Sequence, residues 1–296
     1  MKIGMAVFSG TGNTLHVAEV LADRLRYYGA SVELFRVDAA SLDQLVNRLA
    51  AGGYDLIGIG HPVLGFGATP LMLRFVEALP EGRGRVFIFK SAGDNHRINN
   101  SASGKLTRVL QGKGYEIVHD VLYVMPCNWL IGYRRTFNLQ IIDAVAAKAE
   151  RHARELTTGI RSFLPVHRGW HLLARFFHIL ESRYGTRQFG RSLRAGKGCT
   201  GCGLCVSSCP VSNISEDHRG PRFGSECIWC MRCVYACPAG AIEAPGMNWC
   251  ILKGGYRLTD YIGATDRERT FITRESRGYW KHFVDYFFEK KNGSPS

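Results

Sequence analysis

Two copies of one cysteine pattern in the C-terminal half constrain the fold of this chain more than any other feature. Residues 199–210 read Cys-Thr-Gly-Cys-Gly-Leu-Cys-Val-Ser-Ser-Cys-Pro, and residues 227–238 read Cys-Ile-Trp-Cys-Met-Arg-Cys-Val-Tyr-Ala-Cys-Pro. Three thiolates at this spacing on a tight loop bind three irons of a 4Fe–4S cube, while the fourth cysteine reaches the neighbouring cube. We therefore assign one cube to Cys199, Cys202, Cys205 and Cys237, and the other to Cys227, Cys230, Cys233 and Cys209.

Disulfide frameworks and zinc sites are the other chemistries that use clustered cysteines. Disulfides are typical of small secreted domains, whereas this chain has 296 residues and starts without a recognisable secretory leader. Zinc sites usually show paired C-x-x-C knuckles without the third cysteine and the final Cys-Pro. At its two runs the chain resembles the bacterial two-cluster ferredoxins. The resemblance implies a small α+β ferredoxin-like domain over residues 195–245 that transfers single electrons at low potential.

Strand-like apolar runs alternate with helical periodicity through the first 160 residues. The chain opens with a buried-strand pattern at residues 2–8, followed by helical spacing from Thr14 to Gly29. The alternation continues with strands near 31–37, 54–60, 84–90 and 115–125, and helices near 41–50, 70–79, 102–112 and 137–160. It predicts an α/β domain over residues 1–160 with a doubly wound, five-stranded parallel sheet that binds ligands at the carboxyl ends of its strands.

The turn after the first strand predicts a phosphate site. A P-loop requires a lysine directly before its final hydroxyl residue, and this turn has Asn13 at that position. A dinucleotide-binding fingerprint requires a small residue at position 15, where this chain has Leu15. Asp38 after the second strand could still bind a ribose, so dinucleotide binding stays open as an alternative. Hydroxyls and glycines at a helix N-terminus bind a phosphate dianion through backbone N–H groups and the helix dipole. The predicted hydroxyl donors are Ser9, Thr11 and Thr14, and the predicted backbone or amide donors are Gly10, Gly12 and Asn13.

The run Phe8-Ser-Gly-Thr-Gly-Asn-Thr14 resembles the FMN-phosphate loop of flavodoxins, which implies FMN as the cofactor. In flavodoxins the loops after the third and fourth strands embrace the isoalloxazine ring. Either Gly65 or Gly67 could turn a peptide towards the flavin N5, and the sequence does not choose between them. His61 and Asp94 are candidates for tuning the protonation of the flavin. The alternatives are that His61 only caps the end of a strand and that Asp94 is an ordinary turn residue. The resemblance thus places these residues at the ring: Pro62, Val63, Leu64, Gly65, Phe66 and Gly67, then Ser91, Ala92, Gly93 and Asp94.

The segment Met125-Pro-Cys-Asn128-Trp129 resembles a stretch of fused flavodoxin–ferredoxin proteins. It implies that Asn128 and Trp129 lie at the flavin rim, with Trp129 either covering the flavin or standing between it and the clusters. The fusion family covers about residues 1–160 and 195–245 and implies an electron carrier linking FMN, two 4Fe–4S clusters and a redox partner. One alternative is an oxidoreductase whose flavin reduces a quinone, a nitro compound or a cobalt cofactor. Another is a redox sensor. No acid–base pair or nucleophile indicates catalytic residues.

The basic charge of the chain is concentrated in one segment. The formal net charge is +13, and residues 151–197 carry 10 basic and 2 acidic side chains. Within the predicted linker at 161–194, the spacing from Trp170 to Leu180 indicates a basic amphipathic helix. We expect its apolar face (Leu173, Phe176, Phe177 and Leu180) to pack between the domains rather than on an anionic membrane. Residues 183–197 read as a solvated linker. The basic patch predicts a partner protein with an acidic docking surface, and no nucleic acid.

The remaining residues, 246–296, form an extension that the family resemblance does not explain. An aromatic-rich helix is predicted near 278–290, and its aromatic stripe is more typical of a core than of a cofactor site. No run of eighteen apolar residues predicts a membrane span, and the strand-like start without a cleavage site leads us to expect a cytoplasmic protein.

Overall fold

The computed structural model describes residues 1–288, and a parallel sheet organises their N-terminal part. Its strand order is β2-β1-β3-β4-β5-β6, and the first five strands follow the flavodoxin-like order. The predicted α/β fold is therefore confirmed, with one short strand added at the edge beside β5. The strands are β1 (Lys2–Val7), β2 (Ser31–Arg36), β3 (Leu56–Pro62), β4 (Arg85–Ala92), β5 (Glu116–Val124) and β6 (Ser162–Phe163).

Five helices cover the two faces of this sheet and bury its apolar side chains. On one face, Leu21 of α1 and Val145 of α5 belong to a single buried cluster. On the other face, Leu45 of α2, Phe75 of α3 and Leu106 of α4 form a second cluster. Both faces are covered because right-handed crossovers place helices on each side of a parallel sheet. The helices are α1 (Asn13–Tyr27), α2 (Leu42–Ala51), α3 (Pro70–Ala78), α4 (Gly104–Gly112) and α5 (Arg135–Thr158).

The predicted linker is mostly helical and lies on the sheet domain. Helix α6 (Arg168–Leu180) runs through a π-helical turn (Glu181–Gly185) into α7 (Thr186–Ser192). The expectation of a solvated segment over residues 183–197 was wrong, because Phe189 is buried against Trp229, Leu193 is buried, and residues 194–195 pair with another strand.

The expected packing of the apolar face of α6 was also wrong. Ala174 is the buried residue of this helix, while the predicted packing residues are all exposed: Leu173, Phe176, Phe177 and Leu180.

The cysteine-rich part is a small unit closed by short antiparallel pairs. Strand β7 (Arg194–Ala195), at the end of the linker, pairs with β10 (Ile242–Glu243). Between them lie α8 (Leu204–Ser207), the hairpin of β8 (Ile214–Asp217) and β9 (Gly220–Phe223), and α9 (Arg232–Ala236). Trp229, Val234 and Ile242 pack together at its centre with Phe189 from α7.

The C-terminal extension wraps around the sheet domain. Arg135 on α5 binds both carboxylate oxygens of Asp266 at 2.8 Å, and the Tyr286 hydroxyl accepts the backbone N–H of Val124 at 2.9 Å. Tyr286 and Phe283, on α10 (Lys281–Phe287), are buried, so the aromatic stripe forms core as predicted. The predicted helix end at 290 lies outside the described residues. Within residues 1–288, no helix has the length and apolar character needed to cross a membrane.

Candidate cofactor-binding site

Four strand-end loops meet at the carboxyl edge of the sheet, around the N-terminus of α1. Gly12 precedes this helix with a left-handed φ of 98° and accepts the His16 N–H at 2.9 Å. Because β1, β3, β4 and β5 are parallel, the loops that follow them come together there. They enclose one small cavity, lined by Ser9, Gly10, Thr11, Asn13, Thr14, Pro62, Val63, Leu64, Ser91, Ala92, Gly93, Pro126, Asn128 and Cys230.

The polar groups of the first turn bond mainly to the other loops of this cavity. The hydroxyls of Thr14 and Ser91 are 2.8 Å apart, and the Asn13 amide donates to Pro126 O at 2.9 Å. The Asn128 amide donates to the Thr11 hydroxyl at 2.6 Å. The buried Ser9 hydroxyl has no hydrogen-bond partner among the described residues. This donor set, at a helix N-terminus, fits a phosphate dianion.

The space between these groups is narrow for a flavin. The cavity measures about 40 Å³, whereas cavities that hold small molecules measure roughly 300–1,000 Å³. Cys230 forms part of the wall, and its carbonyl oxygen lies 2.2 Å from where a Cβ on Gly10 would stand. The donor chemistry fits the phosphate of FMN, whereas the space between the loops, with Asn128 bonded to Thr11 across it, is smaller than a flavin ring.

The turn at Gly65 to Gly67, predicted to contact the flavin ring, contacts the linker helix. His178 on α6 donates from Nδ1 to the Gly65 carbonyl at 3.1 Å. The Glu181 carboxylate occupies the space above Gly65, whose φ is +56°. The Phe66 ring lies 6.1 Å from that of Phe177. Residues 65–67 thus do not line the small cavity, while Pro62, Val63 and Leu64 do.

Three more predicted residues lie beside the cavity without lining it. Gly12 packs near Leu258 of the extension. The Asp94 carboxylate lies 3.1 Å from His282 Nε2 and accepts the Tyr279 hydroxyl at 2.9 Å, so it faces the C-terminal helix. The third residue, Trp129, packs against Trp229.

Trp129 stands at the boundary between the two domains. Its ring centroid lies 4.9 Å from that of Trp229, which is in the second cysteine run. The ring of Trp129 thus lies against the second cysteine run, and its position relative to a bound flavin stays a prediction.

His61 is fully buried at the end of β3. Burial lowers its pKa to about 3, and its Nδ1 lies 3.0 Å from Pro62 O. The imidazole is therefore neutral near pH 7.

Arg232 is the main site residue that the sequence did not reveal. It lies between Cys230 and Cys233 and donates to Ser9 O at 2.7 Å and to Gly10 O at 3.3 Å. It also binds Asp38 at 2.9 Å, so the carboxylate considered for a dinucleotide ribose is paired with a guanidinium. The sequence around Arg232 does not indicate that it pairs with Asp38, which lies 194 positions away.

The cysteines assigned to the first cube surround a cavity of their own. All four line it, together with Gly201 and Gly203, whose φ angles of 67° and 69° lie in the left-handed region. Cys199 and Cys202 are exposed, which places this group at the protein surface. The four are Cys199, Cys202, Cys205 and Cys237.

The cysteines assigned to the second cube lie deeper. Burial, and after it the neighbouring thiols Cys230, Cys227 and Cys209, raise the pKa of Cys233. Burial also raises the pKa of Cys227 to about 12. Free thiols at these positions are thus protonated near neutral pH, and cluster assembly must displace their protons.

Backbone N–H groups are directed at the cysteine sulfurs. Asn213 N donates to Cys209 Sγ at 3.2 Å, and Ala241 N donates to Cys237 Sγ at 3.3 Å. Hydrogen bonds of this kind tune the reduction potential of iron–sulfur clusters. Within residues 1–288, no three His, Cys, Asp or Glu side chains are arranged to hold a single metal ion.

Comparison with known proteins identifies the cysteine-rich part. Residues 192–238 match the model of the 4Fe-4S dicluster domain. The similarity to this family covers 47 of the 296 residues. The dicluster domain confirms the prediction of two 4Fe–4S clusters, and its fusion to a sheet of flavodoxin-like strand order agrees with the predicted two-part architecture. No curated protein sequence matches the chain.

Three solved structures resemble the N-terminal part. A flavodoxin from Streptococcus pneumoniae TIGR4 shares 16% identity, covering 53% of this chain and 99% of its own, with a TM-score of 0.39. Oxidised flavodoxin 1 from Bacillus cereus shares 20% identity over 53% of this chain and 98% of its own, with a TM-score of 0.39. The apo form of the NADH:FMN oxidoreductase EMOB shares 16% identity over 57% of this chain and 93% of its own, with a TM-score of 0.42.

Proposed function

We propose that this chain is an electron-transfer protein that binds FMN at the first-turn cavity and passes single electrons between the flavin, two 4Fe–4S clusters and a redox partner. The observation that carries the proposal is the direct contact between the two cofactor loops. Arg232 binds the carbonyls of Ser9 and Gly10, and Cys230 forms part of the cavity wall. When bound, FMN supplies a carrier of one or two electrons, which single-electron clusters can fill or empty stepwise.

Burial gives the order of the carriers. The deeper cysteine group contains Cys230 and therefore adjoins the flavin site, so we assign it to the inner cluster. The other group contains the exposed Cys199 and Cys202, so we assign it to the outer cluster. Cys205 and Cys237 of the outer group pack against the same apolar cluster as Cys227 and Cys233 of the inner group. The proposed path runs from flavin to inner cluster to outer cluster to partner.

Exposed basic side chains on α7, which packs against the second cysteine run, and just before the first run support a partner with an acidic docking surface. Arg187, Arg191 and Lys197 are exposed, and Lys197 lies two positions before Cys199. A positive patch raises the rate of encounter with an acidic protein, and salt screens this effect. Partner reduction should slow as ionic strength rises, and rates independent of salt would remove this part of the proposal.

The central test is anaerobic reconstitution with FMN, iron and sulfide, followed by a spectroscopic redox titration. We expect about eight irons and one FMN per chain. Gly10→Ala should lose FMN affinity and disturb the inner cluster, because its Cβ would meet Cys230 O. Gly112→Ala is the matched control, since no atom lies within 4 Å of its added Cβ. Iron without flavin in the wild type, or normal flavin binding by Gly10→Ala, would contradict the proposed site.

A larger cavity favours reduction of a small molecule as a second candidate function. It measures about 580 Å³ and adjoins Phe66 and Gly67, on the far side of the turn whose Leu64 lines the flavin site. Lys105, Arg108 and Arg183 line it, and no carboxylate does. Such a cavity suits an anionic electron acceptor. Lys105→Ala should then lower kcat/KM for an anionic acceptor while leaving a neutral one unaffected; equal effects on both would argue against this activity.

A further inference from the structure

Large apolar side chains lie uncovered along α6. Five of them are between two fifths and two thirds exposed: Leu172 at 66%, Phe176 at 63%, Leu180 at 48%, Ile179 at 45% and Leu173 at 40%. The exposure continues on both sides of the helix, at Ile160, Phe163, Val166 and Tyr184. A helix on a globular protein normally buries its apolar stripe and presents its polar face to water.

Helix α6 does the opposite, because its histidines face the protein and its large apolar side chains face the solvent. His171 and His178 face the protein and line the larger cavity, while Leu172 and Phe176, one helical turn apart, face outwards. The Glu181 carboxylate is turned inwards, above Gly65. A contiguous exposed apolar patch of this kind marks a binding surface.

Arginines flank the apolar face and indicate what covers it. Arg168 begins the helix and Arg187 follows it, and the exposed Arg175 and Arg183 stand at the rim between this face and the larger cavity, which they also line. Within the described residues, none of these four has an acidic partner within ion-pair distance. A second copy of the same face would bring these like charges together, which disfavours a symmetric dimer. Leucine and aromatic residues on one side with arginines at the edge are the composition of helices that lie in the interface of anionic bilayers.

We propose that the surface formed by residues 160–184 docks this protein on an anionic lipid bilayer. The helix lies in the plane of the membrane, with Leu172, Phe176 and Leu180 inserted among the acyl chains and the arginines at the level of the lipid phosphates. Docking does not depend on the proposed electron transfer. Its consequence is to hold the clusters at a membrane surface, where membrane-bound or lipid-soluble redox partners reside.

The test is co-sedimentation of the cluster-loaded, full-length protein with vesicles under anaerobic conditions. Vesicles of phosphatidylcholine alone are compared with vesicles that also contain phosphatidylglycerol. We expect binding to the anionic vesicles that weakens as salt rises. The double variant Leu172→Ser/Phe176→Ser should bind at least about tenfold more weakly, and Arg168→Gln should weaken binding to anionic vesicles only.

Two controls separate docking from folding and from other occupants. Tyr27→Ser removes an aromatic side chain that is 75% exposed on α1, outside the proposed surface, and should leave vesicle binding unchanged. Iron content and cluster spectra should be the same in every variant. The proposal is overturned if neither vesicle type binds, or if Leu172→Ser/Phe176→Ser binds like the wild type. It is also overturned if sedimentation shows a wild-type dimer that this variant converts to a monomer, because a second copy then covers the face.

Discussion

Replacing Arg232 with methionine tests whether the two cofactor loops depend on one another. Methionine keeps most of the length of the side chain and removes its bonds to Ser9 O, Gly10 O and Asp38, at 2.7, 3.3 and 2.9 Å. Breaking a buried ion pair costs about 3–5 kcal/mol, and exposed pairs contribute about 0–1 kcal/mol. The side chain of Arg232 is 22% exposed and that of Asp38 32%. We therefore expect Arg232→Met to lower the free energy of unfolding by about 2–3 kcal/mol.

The assay is anaerobic urea unfolding of the cluster-loaded protein, followed by far-UV circular dichroism and by cluster absorbance. The matched control is Arg222→Met, because Arg222 pairs with Asp217 at 2.7 Å on an exposed hairpin of the same domain. The control should lose no more than about 1 kcal/mol. Arg232→Met should also lower the reduction potential of the inner cluster, since it removes a positive charge beside Cys230.

A double-mutant cycle gives the outcome that would refute this reasoning. If Arg232 and Asp38 stabilise the contact together, Asp38→Asn should cost less in the Arg232→Met background than in the wild type. Equal costs in both backgrounds, or a loss for Arg232→Met no larger than for Arg222→Met, would show that this contact does not stabilise the join between the loops.

Three further predictions concern the core, the pH dependence and the cluster ligands. Lys90 is fully buried and binds Asp120 at 2.6 Å, so Lys90→Met should cost about 3–5 kcal/mol in urea unfolding, and a milder loss would contradict the pairing. Burial lowers the His61 pKa to about 3, so below pH 6.5 the unfolded chain takes up a proton that the native chain does not. Wild-type stability should therefore fall about 2 kcal/mol more than that of His61→Asn between pH 7 and 5, and parallel curves would exclude this linkage. Cys237→Ser should remove the outer cluster and Cys209→Ser the inner one, as distinguished by electron paramagnetic resonance; the reverse result would exclude the crossed ligand assignment.

The sheet domain could be predicted from the sequence because its signals are local. Short apolar runs predict β1 to β5, and a helical spacing of apolar residues predicts the helices between them. Parallel pairing then brings the loops after β1 and β4 to one edge of the sheet. The contact between Thr14 and Ser91, 77 positions apart, follows from that topology. The cysteine spacing is equally local, because three ligands of each cube lie on a single loop.

The missed features all depend on contacts between distant segments. The periodicity of α6 shows that Leu173 and Phe176 share one side, but it does not show whether that side faces the protein or the solvent. In the structure the side with His178 faces the protein, where His178 binds Gly65, 113 positions away. The same contact joins residues 65–67 to α6, and their contact with the flavin ring stays a prediction.

The closed form of the flavin cavity leads to a last prediction, that FMN and the inner cluster affect each other's binding. Asn128, which bonds to Thr11 across the cavity, accepts the Tyr235 hydroxyl through its carbonyl at 2.9 Å. Tyr235 lies on α9 of the dicluster domain, and Cys230 forms the opposite wall. Entry of the flavin must therefore move groups held by the dicluster domain.

Coupling between two binding sites is reciprocal. If removal of the clusters changes the FMN dissociation constant by some factor, saturating FMN must change the combined affinity for the two clusters by the same factor. We expect cluster-free protein, with a more mobile Cys230 loop, to bind and release FMN faster and to differ in affinity by about tenfold. Flavin fluorescence titration of loaded and cluster-free protein measures this difference. Identical rates and affinities would mean that the two loops touch without transmitting any constraint, and that the contact through Arg232 serves only to join the domains.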